Sequence, residues 1–188
     1  MEPFNTDHYY YATNLASPLS SLFNDIDSYN FSSGKDNDQY QTMLDQDLIY
    51  QDDLLSKLHE EAKGVLCMLL LPPSNMYRWH LDRHGHSNLN LINCTENKHT
   101  FYLAEKGQHS FSNYTPSIHS VKDLLPLVNI KVTAHRWCIL NAQKLHAGIN
   151  FDSKPKYMVQ YVLKKKTSKL TYQEAVEFVK VYQNSINP

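Results

Sequence analysis

Apolar positions along the chain repeat mostly with the period of strands. From Val65 to Leu71 seven apolar residues run without a break, the length of a buried strand, and Pro72-Pro73 ends the run. Asn88 to Asn93 alternates polar and apolar, the pattern of a half-buried strand. Tyr77 to Asp82, Thr100 to Ala104, Val128 to Val132, Arg136 to Leu140, Leu145 to Asn150 and Tyr157 to Leu163 are further short candidates. Such strands divided by turns predict a mainly β sandwich or barrel, not a sheet with crossover helices. Helical spacing occurs twice. Asp52-Asp53 opens a stripe of Leu54, Leu55 and Leu58, and Gly64 marks its stop. Thr171-x-x-Glu174 is a capping box opening a helix to about Asn184. Ala175, Phe178, Val179 and Tyr182 share one face of that helix, which is set to buttress the sheet from outside.

Before Asp47 the pattern weakens. Tyr9-Tyr10-Tyr11 suits a short strand and Pro18 to Phe31 a broken helix, while residues 32–38 are polar and turn-prone. Residues 1–47 therefore read as an N-terminal arm packed on a core domain of residues 48–188, with the C-terminal helix at 171–184. Ser110 to Pro126 is a long excursion with one helical turn at Val121–Leu125.

Composition narrows the classes. At 188 residues the chain is long enough for one real core. A net charge of −1 gives no global field to draw in nucleic acid or an anionic membrane, and neither partner is expected. No membrane span or signal peptide is visible, so a cytoplasmic location is expected. Cys67, Cys94 and Cys138 are widely spaced in apolar contexts and read as buried thiols of a reducing compartment.

Candidate chemistry centres on Trp79-His80-Leu81-Asp82 and on Leu145-His146, whose histidines are 66 positions apart. Residues i and i+2 of a strand point the same way, so His80 and Asp82 can reach one ion from a strand end. A distant His146 then completes two imidazoles and one carboxylate, the facial triad of non-haem Fe(II), with one face of the metal left open.

His80-x-Asp82 after an aromatic, an Asn-rich alternating strand, and His146-x-x-x-Asn150 followed by a basic residue together resemble the 2-oxoglutarate/Fe(II)-dependent oxygenases. The nearest type is the short aspartyl/asparaginyl β-hydroxylase-like proteins of phages and bacteria, with prolyl hydroxylases as a broader comparison. The resemblance covers about residues 65–163. It implies a double-stranded β-helix, or jelly roll, with flanking helices. It also implies Fe(II), 2-oxoglutarate and dioxygen as the reaction set, succinate and carbon dioxide as coproducts, and a protein or peptide side chain as the group hydroxylated. The matching position for the cation that holds the far carboxylate of 2-oxoglutarate is Lys156, where many relatives carry Arg; Lys154 and Arg136 are the alternatives. Asn90, Tyr77 and Tyr102 are further candidates for cosubstrate contact. Met158 stands where relatives carry a hydroxyl. Loops at 32–47 and 105–127 would border the mouth and set selectivity.

Plainer readings stand beside these. An isolated His-x-Asp is usually a hydrogen-bonded strand end, and only the downstream His-Asn-Lys arrangement raises it above that. His84 and His86 suit an exposed turn, His135 a strand edge, and Lys164-Lys165-Lys166 with Lys169 a solvated strand end. Trp79 and Trp137 suit the core, although Trp79 could wall the site. Two rival functions also remain: a catalytically silent binding or virion-associated module, and a cupin-like metal enzyme that does not use 2-oxoglutarate.

Overall fold

The computed structural model describes residues 6–33, 40–80, 85–93, 99–104, 127–164 and 170–186. Eleven strands are described: β1 (Tyr10–Ala16), β2 (Ser32–Ser33), β3 (Tyr40–Met43), β4 (Gly64–Leu71), β5 (Asn75–His80), β6 (Gly85–Asn93), β7 (His99–Ala104), β8 (Leu127–Lys131), β9 (Arg136–Leu140), β10 (Leu145–Asn150) and β11 (Lys156–Lys164). Two α-helices accompany them, α1 (Asp53–Glu61) and α2 (Tyr172–Ile186), with short 3-10 turns at Pro18–Asn24, Ile26–Ser28 and Gln46–Gln51.

The strands form two antiparallel sheets. One has seven strands in the order β1-β9-β6-β11-β4-β3-β2, and the other four in the order β5-β10-β7-β8. From β4 to β11 the chain passes back and forth between them, leaving β4, β6, β9 and β11 in the larger and β5, β7, β8 and β10 in the smaller. Eight strands wound so into two four-stranded halves are a jelly roll. Residues ahead of α1 extend the larger half, with β1 pairing to β9 and β3 to β4. Ser32–Ser33, read from sequence as part of a loop, pairs with Tyr40–Gln41 as a two-residue edge.

Side-chain alternation gives the larger sheet two different faces. Its outer face presents Leu66, Met68, Leu89, Leu91, Trp137, Ile139, Val159, Tyr161 and Leu163. Against these pack Leu54, Leu55 and Leu58 of α1 and Tyr172, Ala175, Val176 and Val179 of α2, so both helices buttress this sheet. A leucine buried as fully as Leu55 or Leu58 contributes roughly 1.5–3 kcal/mol over an exposed one. The inner face carries a smaller apolar cluster of Ile92, Cys138 and Leu140, with Met158 and with Ile130 of the smaller sheet packed against it.

Local chemistry explains the helix ends. Asp52 accepts from the backbone N–H of Leu55 at 3.0 Å and so caps α1, while its other carboxylate oxygen accepts from the Trp137 indole at 3.0 Å and from the Ser17 hydroxyl. Gly64 is not the helix stop that its position suggested. The helix closes at Ala62, and Gly64 begins β4 because a side chain there would collide with the Tyr161 ring. The Tyr161 hydroxyl accepts from the Gly64 N–H at 2.9 Å and donates to the Ala62 carbonyl at 3.0 Å. Burial pushes its pKa well above the usual phenol range.

Candidate metal centre

β5 and β10 are neighbours in the smaller sheet, and their register sets His80 opposite His146. Their ring centroids are 4.1 Å apart, with the planes inclined by 56°. Two residues 66 positions apart in sequence thus meet as a cross-strand pair. His146 is 3% exposed, and its Nδ1–H donates to the Lys144 carbonyl at 2.8 Å. A carbonyl can only accept, so the neutral ring carries its proton on Nδ1 and its lone pair on Nε2. That is the tautomer a metal-binding imidazole uses, set by the hydrogen bond on the other nitrogen.

A bulge shapes the other side of the pair. Between the His146–His80 and Gly148–Tyr77 partners, β5 advances three residues while β10 advances two. The extra residue reverses the alternation of β5, so Tyr77 and His80 come to the same side, with ring centroids 4.2 Å apart. Tyr77 therefore stacks edge-on beside the candidate ligand. Asp82 lies outside the described residues. Among the described residues no group of three His, Cys, Asp or Glu side chains converges on one point, and the His80–His146 pair supplies two donors. Two adjacent imidazoles, one of them locked in the ligating tautomer, fit a metal of the imidazole-preferring kind.

Lys156 opens β11 and shares its inner face with Met158 and Gln160 by alternation. It is 8% exposed, and its Nζ lies 3.0 Å from Asp152 Oδ2. Lys154 is exposed. Arg136 donates to the Asn14 carbonyl across the β1–β9 edge. Asn90 is fully buried in the middle of the larger sheet, where its Nδ2 donates to the Asn88 carbonyl at 3.1 Å and its Oδ1 accepts from Gln160 Nε2 at 2.9 Å. Tyr102 sits on β7 opposite Ala147, on the strand next to that of His146. The structure therefore brings Tyr77, His80 and His146 together and puts the Lys156 ammonium in an ion pair.

Two residues here, Asp152 and Gln160, were not singled out from sequence, and Asn150 figured there only in the motif that carries the resemblance. Asn150, fully buried, donates from Nδ2 to the carbonyls of Leu71, Pro72 and Lys154 and accepts from the Asp152 N–H at 3.0 Å, so it holds together the turn between β10 and β11. Asp152 pairs with Lys156, and Gln160 braces Asn90. The Asn-x-Asp spacing of an Asx turn just before Lys156 was the available signal for Asp152. The other histidine readings fall as follows. His135 occupies a left-handed turn (φ 57°) ahead of β9, edge-on to Phe23, and His84 lies outside the described residues. Cys67 and Cys138 are buried thiols that donate to the Gln160 and Asn90 carbonyls, and Cys94 lies outside the described residues.

Neither a family model nor a curated protein matches the sequence. Solved structures do match in shape. A prolyl-4-hydroxylase from Pseudomonas putida aligns with TM-score 0.57 at 11% identity, over 84% of this chain and 92% of that one. HygX from Streptomyces hygroscopicus, solved with nickel, 2-oxoglutarate and hygromycin B bound, aligns with TM-score 0.53 at 10% identity, over 84% of each chain. The shared property is the fold. An oxalate oxidase in complex with glycolate aligns more loosely, with TM-score 0.43 at 12% identity over 78% of this chain, which spans 64% of that enzyme's length. Among the described residues no helix is long and apolar enough to cross a membrane.

Proposed function

We propose that the chain is an Fe(II)- and 2-oxoglutarate-dependent oxygenase that hydroxylates a protein or peptide side chain. The observation carrying this reading is the His80–His146 pair, brought together across β5 and β10 of a jelly roll with His146 held in the ligating tautomer. A prolyl-4-hydroxylase and a 2-oxoglutarate-bound protein among the shape neighbours support it. His80 and His146 would hold the metal, and Asp82 would supply the carboxylate that completes a facial triad. When bound, the iron couples oxidative decarboxylation of 2-oxoglutarate to oxygen insertion into a C–H bond, with succinate and carbon dioxide released.

The chain's own residues orient and shield. The Lys144 carbonyl keeps the His146 ring from rotating and keeps its proton on Nδ1. Tyr77 walls one side of His80. Lys156 supplies the cation for the far carboxylate of the cosubstrate, and its inner-face neighbour Met158 belongs to the apolar patch that limits water there. Lys offers a point charge in place of the two-pronged contact of an arginine, so this grip is less directional.

A second reading draws on the Asp152–Lys156 ion pair. A cation already matched by an internal carboxylate also suits a cupin-like metal enzyme that does not use 2-oxoglutarate. Succinate formation separates the two. Incubation with Fe(II), oxygen and 2-oxoglutarate, followed by NMR, should show slow succinate release even without a prime substrate, and none from His80→Ala or His146→Ala. Metal uptake without any succinate, in the presence of a panel of Asp-, Asn- and Pro-containing peptides, would favour the cupin-like reading.

A further inference from the structure

The Asp152–Lys156 ion pair is built, not incidental. Lys156 Nζ and Asp152 Oδ2 are 3.0 Å apart, with both side chains nearly inaccessible to solvent. The turn that presents the carboxylate is tied down at several points. Asp152 donates its N–H to Asn150 Oδ1 at 3.0 Å, its carbonyl accepts from the Ser74 N–H at 2.9 Å, and Asn150 binds the carbonyls of Leu71, Pro72 and Lys154. The residues flanking Asp152 in this turn, Phe151, Ser153, Lys154 and Pro155, are exposed. Buried framework therefore holds one carboxylate against one ammonium at the edge of the solvent.

We propose that Asp152 is the residue that sets cosubstrate affinity and selectivity, an internal carboxylate that occupies Lys156 and must yield before the far carboxylate of a 2-oxo diacid can bind. This deepens the 2-oxoglutarate reading and rests on it. A buried ammonium without a counter-ion is unfavourable, and Asp152 answers that need in the ligand-free protein. The same arrangement leaves Lys156 and Asp152 electrically neutral together. A second carboxylate approaching Nζ meets a like charge a few ångströms away, and the repulsion offsets much of what the cation contributes. A 2-oxo acid with no far carboxylate escapes that penalty. The wild type should therefore discriminate weakly between the two ligand types, and neutralising Asp152 should restore discrimination.

Calorimetric titration of the Fe(II)-loaded protein without oxygen tests this with two probes, 2-oxoglutarate and 2-oxobutanoate, which lacks the far carboxylate. The wild type should bind the two within about tenfold of each other. Asp152→Asn, whose carboxamide keeps the shape of the turn, should bind 2-oxoglutarate about tenfold or more tighter than the wild type does, with 2-oxobutanoate unchanged. Lys156→Met should remove the preference altogether. Should Asp152→Asn fail to fold, the wild-type ratio decides alone: a preference for 2-oxoglutarate on the order of a thousandfold would overturn the proposal. Wild-type binding of 2-oxoglutarate that Asp152→Asn leaves unchanged or weakens would overturn it while sparing the oxygenase reading. Iron uptake with no 2-oxoglutarate binding in any variant would overturn both.

Discussion

Single residues here divide into those that hold the framework and those that the proposed function gives a chemical duty. Asp52 is the clearest structural case. One carboxylate oxygen caps α1 and the other accepts a hydrogen bond from the indole N–H of Trp137, which is 1% exposed. Asp52→Ala loses the cap, at about 1 kcal/mol, and strands the indole N–H in the core, at roughly 1–3 kcal/mol more. Urea unfolding should show a loss of about 3 kcal/mol in total, with Fe(II) affinity unchanged because Asp52's partners Leu55 and Trp137 belong to the outer-face core. An Asp52 change that weakened iron binding as strongly as stability would place it in the metal site instead. His146 is the chemical counterpart. Its burial and its hydrogen bond to a backbone carbonyl two residues away hold one ring nitrogen, and the imidazole centroid of His80 lies within ring-contact distance.

Elements show how local rules and long-range packing divide the work. The capping box of α2 forms as its spacing predicts: Thr171 donates from its N–H and from its hydroxyl to Glu174, each at 2.7 Å, and the Glu174 N–H donates back to Thr171 Oγ1. These bonds hold the Glu174 carboxyl below the usual carboxylate range. A carboxylate with a lowered folded pKa contributes stability that is present above its ordinary pKa and fades as pH falls through the folded value. Between pH 6 and 3 (roughly, the range spanning carboxylate titration) the wild type should therefore lose α2 end-stability that Glu174→Gln lacks from the start. Amide hydrogen exchange at residues 172–175 should accelerate with acid in the wild type and change less in the variant. Equal acid sensitivity in both would remove Glu174 as its source.

Strands were legible where turn residues bracket a short run. Arg136–Leu140 and Leu145–Asn150 form over the same residues that the pattern marks, and β6 starts three residues earlier than Asn88. Gly64 and β5 were harder to read, for physical reasons. Gly64 resembles a helix stop in sequence, yet the ring it must admit belongs to Tyr161, 97 positions away. The β5 bulge depends on the step of its partner β10, so no local pattern announces that Tyr77 and His80 share a side.

At the scale of the whole molecule, the jelly roll converts sequence separation into proximity. Winding the chain alternately between two sheets makes β5 and β10 neighbours and leaves β11, with Lys156 at its start, in the opposite sheet. The His80–His146 pair was legible as a candidate because this fold makes neighbours of β5 and β10, whereas Lys156 was named through the resemblance. The Asp152 counter-ion was not legible, since an acidic residue in a polar turn has many innocent explanations and only its burial beside Lys156 distinguishes it. The helices close the larger core on the outer face of the seven-stranded sheet, whereas His80 and His146 stand on β5 and β10 of the four-stranded one.

The central claim is that His80 and His146 make one iron site that also accepts a 2-oxo acid. Anaerobic titration of the metal-free protein with Fe(II) and then 2-oxoglutarate, followed by visible absorption, tests it most directly. A charge-transfer band should appear at one iron per chain in the wild type and be absent from His80→Ala and His146→Ala, both still folded by circular dichroism. A wild-type protein that takes up no iron, or a band that survives loss of His146, would contradict it.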